Sequence, residues 1–201
     1  MQIKSRERVQ KYGEVFTAPR EVNAMLDLVK PETERIDATF LDPACGEGAF
    51  LTEILRRKLA AVLRQSDYAY AIERNSLIAL ASVYGIDIQA DNILICREIL
   101  CSIWTKFYRT NCEAIRNPHG PQAEMAARSI IQHNIVLGDT LSMKAPNGDQ
   151  LKISQWICEP ERGSFRRLDY LFRSLIEENQ DLFSFGPLYE DRLYYRLTHK
   201  E

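Results

Sequence analysis

The sequence predicts an α/β fold, an open sheet of parallel strands connected by helices. Three observations carry this. A short apolar strand at 38–42 runs directly into a glycine-containing turn and then a helix, the opening of an α/β unit. Two later apolar strands, at 83–88 and 134–140, finish on or near an acid as the first does, giving Asp42, Asp87 and Asp139. The segments between them carry apolar residues at helical spacing.

With 201 residues the chain has room for one domain with a substantial core. Hydrophobic residues make up 45% and charged residues 27%, which excludes wholesale disorder. No apolar run approaches the ~20 residues of a membrane helix. The first residues are charged where a signal peptide needs an apolar stretch. Five cysteines without CxxC spacing fit neither a disulfide framework nor a zinc knuckle, so a reduced, cytoplasmic setting is expected. The formal charge of −2 offers no global basic excess for nucleic acid.

Along the chain, Val22, Met25, Leu26 and Val29 recur at helical spacing, and Lys30-Pro31 is expected to end that helix. After the strand at 38–42 and the turn, Phe50, Leu51, Ile54, Leu55, Leu59, Val62 and Leu63 mark one helix face. A helix at 69–82 leads into the second strand, and Asp91 is read as the cap of a long helix carrying Ile93, Cys96, Leu100, Trp104 and Phe107. A loop at 110–121 and a short helix precede the third strand. Asn147-Gly148 signals a tight turn ahead of an apolar segment at 151–158. Leu168, Leu171, Phe172, Leu175 and Ile176 predict a helix at about 168–179; the tail, 181–201, is rich in aromatics.

In an open parallel sheet, ligands bind beyond the carboxyl ends of the strands. Three carboxylates there either cap the helices that follow or line a pocket for a ligand with amino and hydroxyl groups. The glycine turn narrows the choice. A nicotinamide fingerprint wants a third glycine where Leu51 stands, and its acid ~20 residues on, well short of Asp87. A P-loop wants Lys-Ser or Lys-Thr after the glycines, and neither is present. A turn that lets backbone approach the ligand, with acids nearby, suits a cationic amino group and a ribose.

That description fits S-adenosylmethionine. Asp42-Pro-Ala-Cys-Gly-Glu-Gly-Ala-Phe-Leu51 resembles the D-P-A-C-G-x-G-x-F-L signature of amino-group DNA methyltransferases, above all the N6-adenine type of restriction–modification systems. Tyr12-Gly-Glu-Val-Phe-Thr-Ala-Pro-Arg-Glu-Val22 is similar to the family's upstream motif, with Ala18 in place of its usual first proline. Tyr84-Gly-Ile-Asp-Ile88 and Gly138-Asp-Thr-Leu141 are similar to its second- and third-strand motifs. The resemblance covers about residues 11–141 and implies a Rossmann-like, three-layer αβα methyltransferase fold with an incomplete sheet. It divides the single domain 1–201 into an upstream motif and helix (1–35), a cofactor-binding core (36–141) and a divergent C-terminal part (142–201).

The resemblance also implies roles. Gly46 and Gly48 would let backbone pass close to the methionine moiety, Asp42 would orient the turn and face the ammonium group, and Thr17 would contact the carboxylate end. Asp87 would accept both ribose hydroxyls. Ile88 and Leu141 would flank the adenine, whose N6 amino group would donate to Asp139. Tyr12, Phe16, Ala44, Cys45, Phe50 and Thr140 complete the implied cofactor site.

The family's catalytic (N/D/S)-P-P-(Y/F) motif follows the fourth strand, where side-chain and carbonyl oxygens accept the hydrogens of a flipped adenine amino group. The chain contains no Pro-Pro. Glu159-Pro160, after the apolar segment at 153–158, takes the corresponding position, so these two are the catalytic candidates. Arg162, Phe165, Arg166 and Arg167, and again Arg192, Tyr194, Tyr195 and Arg196, combine arginines with aromatics. Such groups track a nucleic-acid strand or serve as ordinary surface packing. His119, His133 and His199 lack metal-ligand spacing, and no metal is expected. Two functions remain: a DNA adenine methyltransferase subunit that needs a second chain for catalysis and DNA recognition, or a catalytically inactive S-adenosylmethionine-binding module for regulation or assembly.

Overall fold

A computed structural model describes residues 17–112, 122–176 and 187–195. The chain is mixed α/β, with β1 (Phe40–Asp42), β2 (Val83–Asp87) and β3 (Ile135–Leu137) forming a parallel sheet in the order β1-β2-β3. Leu41 pairs with Tyr84 and Ile86 with Val136, so all the strands deliver their carboxyl ends to one edge. Between β1 and β2 run α3 (Ala49–Gln65) and α4 (Ala69–Ala81); between β2 and β3 run α5 (Ala90–Asn111) and α6 (Gln122–Asn134).

Strand order follows chain order, so right-handed crossovers bring these helices to one face. Burial agrees. Val83 and Ile135 join Leu51, Leu55, Leu77, Leu100, Trp104 and Ile130 in the main core. The other face is covered differently from the expected helical layer: Ile86 packs on Leu151 and Phe172, at the root of a separate antiparallel sheet. That sheet has the order β4 (Lys152–Glu159), β5 (Ser164–Leu171), β6 (Tyr189–Tyr194).

Several sequence expectations change here. The first helix, α1 (Pro19–Asp27), stops before Lys30-Pro31, which instead opens a short α2 (Lys30–Thr33). Proline suits a first helical turn because its missing N–H is not needed there. Gln89, not Asp91, is the N-cap of α5. Of the helix expected at 168–179, residues 168–171 belong to strand β5, α7 (Phe172–Ile176) is helical, and 177–179 lie outside the described residues. The spacing that suggested a helix is overridden by eight residue pairs between β5 and β4, closed at Gly163 in the left-handed region (φ 59°). No helix among the described residues is long and apolar enough to cross a membrane.

One buried cation organises the approach to β1. Lys58 on α3 is fully buried, and its ammonium donates to the carbonyls of Arg35 (2.9 Å), Ile36 (3.1 Å) and Ala38 (2.5 Å). Its three protons thus meet three acceptors, and the Phe40 ring lies 5.3 Å away. Burial lowers the amine pKa to about 8. Lys58→Met should take this donor from the Arg35 and Ala38 carbonyls, leaving Ile36 only the Ser82 hydroxyl, and destabilise the fold by about 2–4 kcal/mol in urea titrations. An unfolded lysine retains its proton up to about 10.5. Wild type should therefore gain stability over that variant as pH rises from about 8 towards 10.5.

Candidate functional site

The three aspartates at the strand ends share one local device. Each accepts a hydrogen bond from the backbone N–H two residues on: Asp42 from Ala44 (3.1 Å), Asp87 from Gln89 (2.8 Å), Asp139 from Leu141 (2.9 Å). Such Asx turns swing the chain sharply out of a strand while the carboxylate stays at the strand end. The capping role and the pocket-lining role are therefore not exclusive, because each carboxylate keeps further acceptor capacity.

Two long-range contacts then draw the segments together. The second oxygen of Asp87 accepts the Gly46 N–H at 2.9 Å, and the Asn92 amide donates to its first oxygen at 3.2 Å. Thr140 Oγ1 donates to the Pro43 carbonyl at 2.7 Å. The glycine turn, the end of β2 and the loop after β3 thus meet at one place.

Two glycines are obligatory there. Gly48 has φ +84°, and a Cβ on it would stand 2.5 Å from Cys96 Sγ. Gly85, inside β2, lies under the turn, where a Cβ would meet Leu51 Cδ1 at 2.6 Å and Cys45 Sγ at 2.9 Å. Gly46, at φ +52°, has open space where its Cβ would be. The turn is therefore backed tightly by protein on one side and bare on the other.

Electrostatically the carboxylates differ. Burial, and then the nearby Asp87, raise the Asp42 pKa, opposed by the Ala44 N–H. The Ser142 hydroxyl and the Leu141 N–H hold Asp139 below its usual value. Cys45 is kept a thiol far above its ordinary range by a hydrogen bond shared with Cys96 and by burial, so it is packing rather than a nucleophile.

A cavity of about 430 Å³ adjoins the turn, and Thr17, Asp42, Ala44, Cys45, Gly46 and Phe50 are among its lining residues. Asp87, Ile88, Asp139, Thr140 and Leu141 lie outside it, along the ends of β2 and β3. Ile88 and Leu141 are exposed, at 54% and 95%. Tyr12 and Phe16 fall outside the described residues. Sequence reading missed Asn92 and Gly85. Gly85 stood within the quoted Tyr84-Gly-Ile-Asp-Ile88 string, but only the packing of Cys45 and Leu51 reveals its purpose.

The catalytic candidates lie elsewhere. Trp156 Nε1 donates to Asn134 Oδ1 at 2.7 Å, and Asn134 Nδ2 donates to the Ala81 and Val83 carbonyls, at the amino ends of the parallel strands. Glu159 lies three residues beyond Trp156, at the far end of β4, paired with Arg192 (2.9 Å) and accepting from Ser164 (3.1 Å). The segment at 153–158 is thus not a fourth parallel strand, and Glu159 and Pro160 do not join the aspartates. The nearby arginines are similarly engaged: Arg166 with Glu159 and Glu190, Arg167 with Asp169.

Comparison of the chain with protein families, curated proteins and solved structures returns no match. The geometry defines a mixed α/β chain with a carboxylate-bearing glycine turn at the carboxyl edge of a parallel sheet. Within it, Asp87→Asn should turn an amide group toward N–H donors and lower stability by about 1–3 kcal/mol, read by thermal or urea unfolding.

Proposed function

We propose that the chain binds S-adenosylmethionine across the glycine turn, as the cofactor-binding part of a protein resembling the N6-adenine DNA methyltransferases. The supporting observation is the closure of three segments on one another through Gly46–Asp87 and Thr140–Pro43. In this reading the parallel strands are one half of a Rossmann-like methyltransferase sheet, and the protein acts in the cytoplasm.

The residues present fit the cofactor. Asp42, a carboxylate that burial and Asp87 make costly to ionise, gains from an ammonium group beside it. Gly46 leaves its outer side bare for the methionine moiety, with Thr17 at the rim of the cavity. Asp87, already braced by three donors, presents a fixed acceptor to ribose hydroxyls. Exposed Ile88 and Leu141 offer apolar surface to the adenine ring, with Asp139 beside Leu141. When bound, S-adenosylmethionine supplies an electrophilic methyl group; the chain's own residues orient it.

Transfer to adenine in DNA then requires a second subunit for the catalytic motif and for DNA recognition. Glu159 is neutralised by Arg192, and the arginines beside it are paired with acids. The same facts favour the second reading, a catalytically silent S-adenosylmethionine-binding module for regulation or assembly.

Calorimetry tests the shared claim. Wild type should bind S-adenosylmethionine saturably, and the exposed-site variants Ile88→Ala and Leu141→Ala should each weaken binding about three- to tenfold with unchanged thermal stability. Affinity should fall as pH drops through the raised Asp42 pKa, because the ammonium loses its counter-charge. Absence of binding, or affinities indifferent to both variants, refutes the assignment. Labelled methyl transfer to DNA by the isolated chain would reject both the need for a partner and the silent-module reading.

A further inference from the structure

The hydrogen bonds at Asp87 limit what the carboxylate can still accept. The Gln89 N–H (2.8 Å) and the Asn92 amide (3.2 Å) donate to Oδ1, and the Gly46 N–H (2.9 Å) donates to Oδ2. A carboxylate offers about four acceptor positions, two on each oxygen. Among the described residues, Oδ1 is therefore filled and one position is left, on Oδ2. Donors from the glycine turn and from the start of α5 also stop the carboxylate rotating to offer a different pair of positions. The family resemblance implies that both ribose hydroxyls donate to this residue; the occupied positions leave room for one.

We propose that Asp87 selects a single ribose hydroxyl of the adenosyl ligand, the 3′-hydroxyl, and leaves the 2′-hydroxyl unread. This rests on the S-adenosylmethionine reading above and adds the ligand specificity of the same site. Position decides between the two hydroxyls. Oδ2 is bonded to Gly46, whose outer side is open space and takes the methionine moiety. Oδ1 faces the start of α5 beside Ile88, on the side that takes the adenine. In the ligand, C3′ neighbours the carbon that carries the sulfur arm, and C2′ neighbours the carbon that carries adenine. The 3′-hydroxyl thus meets the open position on Oδ2, and the 2′-hydroxyl meets the filled oxygen. Asn92 is a positioning residue in this arrangement. It is 1% exposed, and its amide holds the place on Oδ1 that a second hydroxyl needs.

Calorimetry on the full chain with S-adenosylhomocysteine and its 2′-deoxy and 3′-deoxy analogues tests the selection. The 3′-deoxy compound leaves Oδ2 short of a donor and should bind about tenfold or more weakly than the parent. The 2′-deoxy compound should bind within about threefold of the parent, since its missing group has no acceptor to lose. In Asn92→Leu, which opens a position on Oδ1, the penalty for 2′-deoxy should rise severalfold; the wild-type comparison alone decides where that variant does not fold. Equal penalties in wild type, or a larger one for the 2′-deoxy compound, would overturn the selection while leaving cofactor binding in place. So would uniform weakening of all three ligands by a folded Asn92→Leu, the result of a purely structural role. Failure of all three ligands to bind wild type would overturn the cofactor reading, and the selection with it.

Discussion

The carboxylate of Asp87 is the constraint on which the site depends. One oxygen begins the turn into α5 by accepting from Gln89 and Asn92; the other reaches back to Gly46, the far side of the first crossover. A single side chain thereby fixes the exit of β2, the start of α5 and the glycine turn relative to one another. The arrangement places Asp87 near a second acid, Asp42, and backbone N–H groups offset that repulsion at each carboxylate. The N-terminal turn of α5 adds its dipole in the same sense. Holding the turn in place also demands residues without side chains at Gly48, against Cys96, and at Gly85, against Cys45.

The two sheets divide the molecule by role. The parallel sheet gathers carboxylates, bare backbone and exposed apolar residues at one edge. The antiparallel sheet spends its charges on itself: Glu159 on Arg192 and Arg166, Asp169 on Arg167 and Ser154. Because β4 leaves the carboxyl edge near Leu151 and runs towards Asn134, its far end carries nothing back to the aspartates. This geometry, rather than the lack of a Pro-Pro string alone, separates Glu159 and Pro160 from the aspartates of the parallel sheet.

What could be read from the sequence were features encoded locally. Strand, glycine turn and helix at 38–63 lie in contiguous residues, and the aspartates after β2 and β3 follow short apolar runs. What escaped reading depends on partners distant in the chain. Lys58 follows Arg56 and Arg57 and looks like a surface cation, yet it is buried against carbonyls about twenty residues earlier. Leu168 and Leu171 satisfy a helical period and a hairpin equally; pairing with β4, unseen locally, decides for the strand. Leu41 is apolar yet 39% exposed, and nothing in its sequence neighbours shows that β1 stands at the edge of the described sheet.

The central claim is that the turn at 42–48, Asp87 and the loop at 139–141 form one ligand-binding surface. Amide chemical shifts of the ¹⁵N-labelled chain, followed while S-adenosylhomocysteine is added, address it directly. The account predicts that Gly46, Gly48, Ile88 and Leu141 shift together along one saturation curve while Glu159 and Arg192 stay still. Shifts confined to the antiparallel sheet, or a spectrum that does not change at millimolar ligand, would contradict it.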